Sequence, residues 1–276
     1  MQRVAVIGAG WLGLPLAQWL KQQGHTVYAT RTTAQGVATT QQQGIDSFLC
    51  QLDQPDGLSQ ALRDRECDTL IGCFPPGFRQ GHGEDYPKHW QTLVWQAKQA
   101  HIQKIIMISS TSVYPDIAKP MNEKDASLAL ALDNAAFDSK ARVLLKAEQH
   151  VVTSGLDYTI VRCSGLIGPH RHPARFVSKM PHVSRLAPAN MLHLSDAMNI
   201  VHFALQQLPR TIINATTPTT VSKAEFYQAA LQAIGSSLPL PAITDKADKH
   251  ILCDKLLAAG YHFHFTHTLE AVQGYE

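Results

Sequence analysis

Residues Val4–Ala17 read VAVIGAGWLGLPLA, and the order of residue types in this stretch decides the fold. Arg3 to Ile7 (RVAVI) is a short, β-branched apolar run that reads as a buried strand. Glycines follow at once at Gly8, Gly10 and Gly13, and Leu12, Leu16 and Leu20 then recur at helical spacing up to Gly24. A Gly-x-Gly-x-x-Gly that leaves a strand and opens a helix is the context a phosphate-binding turn needs. Gly8 permits the tight turn, Gly10 lets the backbone approach a pyrophosphate without a Cβ in the way, and Gly13 lets the helix close on the strand. The backbone at Trp11 and Leu12 completes the cradle, and the anion rests on the positive end of the helix dipole. The competing reading is a glycine-rich turn with structural duty only.

Outward from this turn the first half of the chain alternates. Strands are expected at His25–Ala29, Asp46–Leu49, Asp68–Gly72, Lys104–Ser109 and Tyr158–Arg162, with helical patterns between them, notably Gln91–Ala100. A longer helix within Glu123–Asp157 places Val143, Leu144, Ala147 and Val151 on one face. Near-continuous apolar strands separated by helices imply an α/β fold, a doubly wound Rossmann-like parallel sheet covered on both faces. After Cys163 the texture changes. Ser164–Pro188 holds four prolines and three histidines without a long periodic run, which suits a loop-rich lobe facing a substrate. Residues 210–215 read as a returning strand, Ser222 with Glu225 as a capping box, and the tail from Lys249 as a short helix with an aromatic-rich end. The expected organisation is a dinucleotide-binding domain over 1–163, with a returning segment at about 187–216, and a smaller C-terminal substrate-binding lobe over 164–276.

Composition narrows the function. With 276 residues, 45% hydrophobic and 17% charged, the chain is neither disordered nor short of a core. Its 24 Lys and Arg against 22 Asp and Glu leave a formal charge of +2, so no polyanion or acidic membrane is demanded and a small-molecule partner is expected. Cys50, Cys67, Cys73, Cys163 and Cys253 show no CxxC, which reads as neither a disulfide framework nor a zinc ribbon and points to the cytoplasm. An apolar strand begins within three residues of the amino terminus, and no apolar run approaches eighteen residues, so neither export nor a membrane span is expected.

The cofactor can be read further. About 20 residues past the cradle, a site for NAD offers an acidic residue to the ribose 2′-hydroxyl, whereas a site for NADP offers an arginine. Here the second strand ends in Ala29, Thr30, Arg31 and Thr32, with no carboxylate. Two hydroxyls and a guanidinium form a 2′-phosphate clamp, so NADP is expected and NAD is the alternative. A solvated Arg31 is the structural alternative. The CFPPG loop, Cys73–Gly77, is expected to bring Phe74 and Pro75 past the cofactor, and Gln51 or Asp53 to meet the adenine.

Ile105–Pro115 (IIMISSTSVYP), taken with the cradle, resembles the extended short-chain dehydrogenase/reductase superfamily in its NAD-dependent epimerase/dehydratase branch. VRCSGLIGP (Val161–Pro169), MLHLSDAMNIV (Met191–Val201), Asn214–Thr216 and SKAEFY follow in the family's order, so the resemblance spans nearly the whole chain. It is most like an atypical bacterial subgroup with compact substrate lobes. The resemblance implies that Ser110, or its neighbour Thr111, holds the reacting hydroxyl or carbonyl, and it puts Ser109 beside the cofactor. It also implies a homodimer through two helices flanking the sheet. Substrate contacts are expected from Tyr114, His170, Arg171 and His193, with Arg171 suited to an anionic substrate and His193 and Asp196 suited to orienting the lobe.

The family's Tyr-x-x-x-Lys is absent. Aligned on Lys140, the tyrosine position holds Ala136; aligned on Glu148, it holds Lys140, and Leu144 takes the lysine position. Lys140 is therefore the helix's candidate catalytic residue, as ribose ligand or as replacement acid, with a surface lysine as the plain alternative. No metal is expected, because no carboxylate or Cys lies at ligand spacing from the paired and clustered histidines. Two outcomes remain open. One is an NAD(P)-dependent oxidoreductase or epimerase/dehydratase-like protein acting on a carbonyl or hydroxyl, of a nucleotide-sugar-like substrate for instance. The other is a catalytically inactive NADP(H)-binding redox sensor or scaffold.

Overall fold

The opening run forms β1 (Arg3–Ile7), in which Val4, Ala5, Val6 and Ile7 are all buried. Apolar side chains on both faces of one strand need cover from both sides, which a parallel sheet wrapped by helices supplies. The structure, a computed structural model, describes residues 1–273. After β1 come α1 (Gly13–Gln22), β2 (Thr26–Arg31), α2 (Ala34–Gln42), β3 (Asp46–Leu49), α3 (Leu58–Asp64), β4 (Thr69–Gly72), α4 (Tyr86–Gln99) and β5 (Lys104–Ser110). The chain continues through β6 (Pro120–Met121), α5 (Leu128–Leu132), α6 (Ser139–Val152), β7 (Asp157–Cys163), β8 (Gly165–Ile167), α7 (Ala174–Val177), β9 (His182–Ser184) and β10 (Met191–His193). It ends with α8 (Leu194–Gln207), β11 (Thr211–Ala215), α9 (Lys223–Ala233), β12 (Ala242–Thr244), β13 (His250–Ile251), α10 (Asp254–Ala258) and α11 (Thr268–Gln273).

Seven strands make one parallel sheet in the order β11-β7-β5-β4-β1-β2-β3. Val4 of β1 faces Val27 of β2 on one side and Thr69 of β4 on the other. Chain order therefore reverses between β1 and β4, and such a switch point opens a crevice at the carboxyl ends of the strands. The sheet is the doubly wound one expected from the sequence.

Two compact units are present, and neither is a continuous stretch of chain. The first comprises Met1–Ser109, Ser139–Val161 and Val201–Ile212; the second comprises Ser110–Asp138, Arg162–Ile200 and the chain from Ile213 onward. In the first, Leu16 and Leu20 of α1 are fully buried, and α4 and α6 contribute Trp90, Leu93, Ala97, Leu144, Ala147 and Val151. Helix α4 starts at Tyr86, five residues before the sequence expectation, because Pro87 sits in its first turn, where a fixed φ helps and a missing N–H costs nothing. At the sheet's lower end the buried Lys104 Nζ donates to the Leu208 carbonyl at 3.0 Å and lies 3.3 Å from Asp157 Oδ2.

The second unit is held by short parallel strand pairs, β10 with β8, β12 with β9 and β13 with β6. Ile167, Val177, Ala189, Phe226, Leu231 and Val272 form its apolar centre. Arg162 is fully buried there and donates to the Tyr114 hydroxyl (3.1 Å) and to the carbonyls of Glu123 (3.1 Å) and Ala126 (3.0 Å). Asp196 is also fully buried, and its carboxylate accepts from the Tyr261 hydroxyl (3.0 Å) and the amides of His264 (2.8 Å) and Phe265 (3.1 Å), which pins the aromatic tail. At α9 the Ser222 hydroxyl accepts the Glu225 amide, the N-cap half of the expected capping box. Among the described residues no helix is long and apolar enough to cross a membrane, and no group of three or more His, Cys, Asp or Glu side chains could hold a metal ion.

Candidate dinucleotide site

The turn after β1 is built by backbone hydrogen bonds. The Gly8 amide donates to the Thr30 hydroxyl at 3.0 Å, the Ala9 amide to the Thr30 carbonyl at 2.9 Å, and the Gly10 amide to the Gly8 carbonyl at 2.8 Å. Gly8 has φ +100°, a region that L side chains rarely adopt, and a Cβ there would lie 3.1 Å from the Phe74 nitrogen. A Cβ at Gly13 would run into the Gly8 carbonyl. Gly10 differs from both, because it is exposed and a Cβ there would meet nothing within 4 Å. The open side of the turn is thus at Gly10, where α1 begins without a side-chain cap and without an acidic residue in its first turn. First-turn amides of that kind attract an anion.

Around the turn lies a crevice of about 570 Å³, lined by the residues that leave four neighbouring strands: Ile7–Gly10, Thr30–Thr32, Cys50–Asp53 and Cys73–Pro75, with His89 from α4. That volume falls in the range of roughly 300–1,000 Å³ usual for small-molecule and cofactor sites. Phe74 is held in place by stacking on Trp90, with ring centroids 5.0 Å apart at 28°, and by an edge contact with Tyr86 at 5.5 Å. Position 72 has to be glycine because the Trp90 ring fills the space that a Cβ would take. Across the crevice, His89 Nε2 lies 2.7 Å from Asp53 Oδ1, and this hydrogen bond holds the Asp53 carboxyl below its usual range. Gln51 Nε2 donates to the Thr32 carbonyl at 2.9 Å. Burial pushes the Cys50 thiol up to about 11, so it is an apolar wall atom and not a nucleophile.

The structure brings the cradle glycines, Thr30–Thr32, Phe74 and Pro75 into this one crevice. Two corrections to expected roles, at Thr30 and Ser109, follow from burial. Thr30 is not a clamp hydroxyl, because it is buried and its oxygen is occupied by the Gly8 amide. Leu12 turns its side chain into the core and can offer only backbone, whereas Trp11 is half-buried. Ser109 does not face a cofactor, because it is buried and donates to Glu148 Oε1 at 2.7 Å. Arg31 is half-buried at the crevice and its guanidinium donates to the Ala9 carbonyl, while Thr32 is exposed.

Lys140 lies in the first turn of α6 in the first unit, exposed, with Nζ 5.9 Å from the centroid of the Phe78 ring. The other catalytic and substrate candidates belong to the second unit. Ser110 Oγ accepts the Ser112 amide at 3.1 Å and so caps a single turn that contains Thr111. Tyr114 is corrected to a packing residue, since its buried hydroxyl donates to Asn214 Oδ1 at 2.6 Å and accepts from Arg162, and burial pushes its pKa up to about 12. His193 is likewise buried, with Nδ1 accepting the Ser195 amide at 3.2 Å and the ring 4.8 Å from Phe265, and burial lowers its pKa. His170 is exposed, with φ +62°, and the Arg171 amide closes a turn onto the Gly168 carbonyl. Sequence reading missed the His89–Asp53 and Ser109–Glu148 pairs. Their partners are 36 and 39 residues apart, and no local pattern signals either.

The open Gly10, the uncapped helix start and the crevice at the switch point together fit the pyrophosphate and adjoining sugar of a dinucleotide. Comparison with known proteins agrees. The chain is 32% identical over 251 residues to Protein YeeZ of Escherichia coli (strain K12), covering 87% of this chain and 86% of that protein. Its fold matches the Bordetella bronchiseptica enzyme WbmH, solved in complex with NAD+, at a TM-score of 0.78 and 18% identity, over 100% of this chain and 97% of that one. It also matches UDP-glucuronic acid 4-epimerase from Bacillus cereus, solved in complex with NAD, at a TM-score of 0.75 and 17% identity, over 99% and 97% of the two chains. The family described as NAD(P)H-binding matches residues 8–187, from the first cradle glycine into the second unit. The chain belongs to that NAD(P)H-binding family and carries the fold of the epimerase/dehydratase branch.

Proposed function

We propose that the protein is an NADP(H)-preferring oxidoreductase or epimerase that acts on a carbonyl or hydroxyl group of a small anionic substrate. The observation that carries the cofactor preference is Arg31, the last residue of β2, which lines the crevice where no carboxylate leaves that strand. The nicotinamide, when bound, supplies or accepts the hydride. This chain's residues hold it: first-turn amides of α1 receive the pyrophosphate, Arg31 pairs with the 2′-phosphate through charge-assisted hydrogen bonds, and the Phe74 ring forms an apolar wall that excludes water. Ser110, at the end of β5, is the candidate to hold the substrate oxygen. Proton transfer lacks the usual pair, for Leu144 is fully packed and Ala136 precedes α6, which leaves Lys140 as the ionisable group at the helix start. General acid–base help is worth about 10²–10⁴ in rate, so turnover should be slow.

The same observation favours a second reading, an NADP(H) sensor that binds without turnover. Fluorescence titration with NADPH and NADH, followed by a panel of carbonyl compounds and nucleotide sugars monitored at the NADPH absorbance, separates the two. Binding with slow turnover supports the enzyme, and binding without turnover across the panel supports the sensor. The loss of charge-assisted hydrogen bonds worth roughly 1.5–3 kcal/mol should weaken NADPH binding about ten- to hundredfold in Arg31→Ala. Equal affinity for NADPH and NADH in the parent protein, unchanged in that variant, would sink the NADP assignment.

A further inference from the structure

Gly36 is the third residue of α2, buried, and helical in backbone. Nothing in its φ calls for glycine, and in a helix interior glycine is less favourable than alanine by about 0.5–1 kcal/mol. The reason for its presence lies in the neighbouring side chains. A Cβ at this position would stand 2.8 Å from Arg31 Nε, 3.2 Å from Arg31 Cβ and 3.0 Å from Thr33 Oγ1, the hydroxyl that caps α2 by accepting the Gly36 amide. The Arg31 side chain therefore lies across the face of α2 that Gly36 leaves bare, with its guanidinium returned to the Ala9 carbonyl of the cradle.

We infer that Gly36 is a positioning residue for cofactor choice: its missing side chain is the seat that holds Arg31 where a 2′-phosphate would be read. The inference rests on the NADP reading and sharpens it, because it moves part of the selectivity from the arginine to a residue that never touches the cofactor. A methyl group at position 36 would press on Arg31 at Cβ and Nε, so the side chain has to shift and its guanidinium is displaced relative to the Ala9 carbonyl. A flexible arginine would then meet the phosphate only after ordering itself, at the cost of rotamer freedom. NADH has no 2′-phosphate and should not register the change.

The test is Gly36→Ala, with dissociation constants for NADPH and NADH and a thermal melt. We expect NADPH binding to weaken on the order of tenfold, as for partial loss of a charge-assisted contact, with NADH binding unchanged and the melt still cooperative, so that the variant is shown to be folded. A purely structural glycine would instead shift both affinities together, which would overturn the proposal. In an Arg31→Ala background, where no side chain beyond Cβ occupies the seat, adding Gly36→Ala should change NADPH binding no further. An additive effect there also overturns it. The two levels fail differently: Arg31→Ala abolishing the NADPH preference while Gly36→Ala preserves it rejects the role of Gly36 alone. A parent protein with no preference rejects the NADP reading and this inference with it.

Discussion

Ser109, near the end of β5, gives its hydroxyl hydrogen to Glu148 of α6 at 2.7 Å, with both side chains buried. The bond ties α6, a 14-residue helix of the first unit, to a central strand and fixes the rotation of α6. Lys140 then falls two turns before the anchor and Leu144 one turn before it, on the packed side. Glu148→Ala strands the serine donor in the interior and should destabilise the fold by about 1–3 kcal/mol, whereas Glu148→Gln keeps an acceptor and should cost less than half as much. Urea denaturation of both variants checks the difference, and equal losses would mean that the bond is not what anchors the helix.

Gly10 and Gly13 should separate binding from folding. Gly13→Ala drives a methyl into the Gly8 carbonyl and should lower the melting temperature by several degrees, following a loss of about 1–3 kcal/mol for overpacking. Gly10→Ala meets nothing and should melt like the parent, yet bind both dinucleotides at least about tenfold more weakly, since its methyl stands where the pyrophosphate would approach. Calorimetric titration beside a melt reads both effects.

Tyr114 and Arg162 form a buried polar pair that carries the second unit. Tyr114→Phe removes one partner from Arg162 and one from Asn214. The expected loss is about 1–3 kcal/mol of stability, with the KM of any substrate found in the panel unchanged. A raised KM at unchanged stability would return Tyr114 to the substrate site.

Stability should fall on mild acidification. His25 and His202 meet edge to face, with ring centroids 5.4 Å apart, and both have pKa values lowered from 6.5, His25 by burial first and then by His202, and His202 by burial. The amino terminus also lowers the pKa of His25, and Asp68 opposes it. As pH drops through 6.5 the unfolded chain takes up protons first, so stability that is full above that pH is lost below it, until the folded imidazoles titrate in turn. Urea midpoints at pH 7.5 and 5.5 should show the fall, and His202→Gln should flatten it.

Much of this could be read in advance where the signal is local. The strand, turn and helix from Arg3 to Gln22 announce themselves because β-branched residues, glycines and leucines follow within one another's reach along the chain. Arg31 was legible as the end of β2 for the same reason. Thr30 and Ser109 were misread because burial, not residue type, decides what a hydroxyl bonds to, and burial is set by α1 and α6 packing from elsewhere in the chain. The pairs β6 with β13 and β9 with β12 were invisible, since strands of two or three residues carry no period. The seat at Gly36 is a relation between two side-chain volumes, and a sequence records only one of them at a time.

The stacking of Phe74 on Trp90 gives the crevice an optical reporter. Trp90 is fully buried, so its emission should be blue, and the ring touching it is one that a nicotinamide dinucleotide would meet. Ligand arrival should therefore be visible in the protein's own fluorescence without a label. Trp90→Phe, which keeps an aromatic surface behind Phe74, would darken that signal while leaving the binding itself in place.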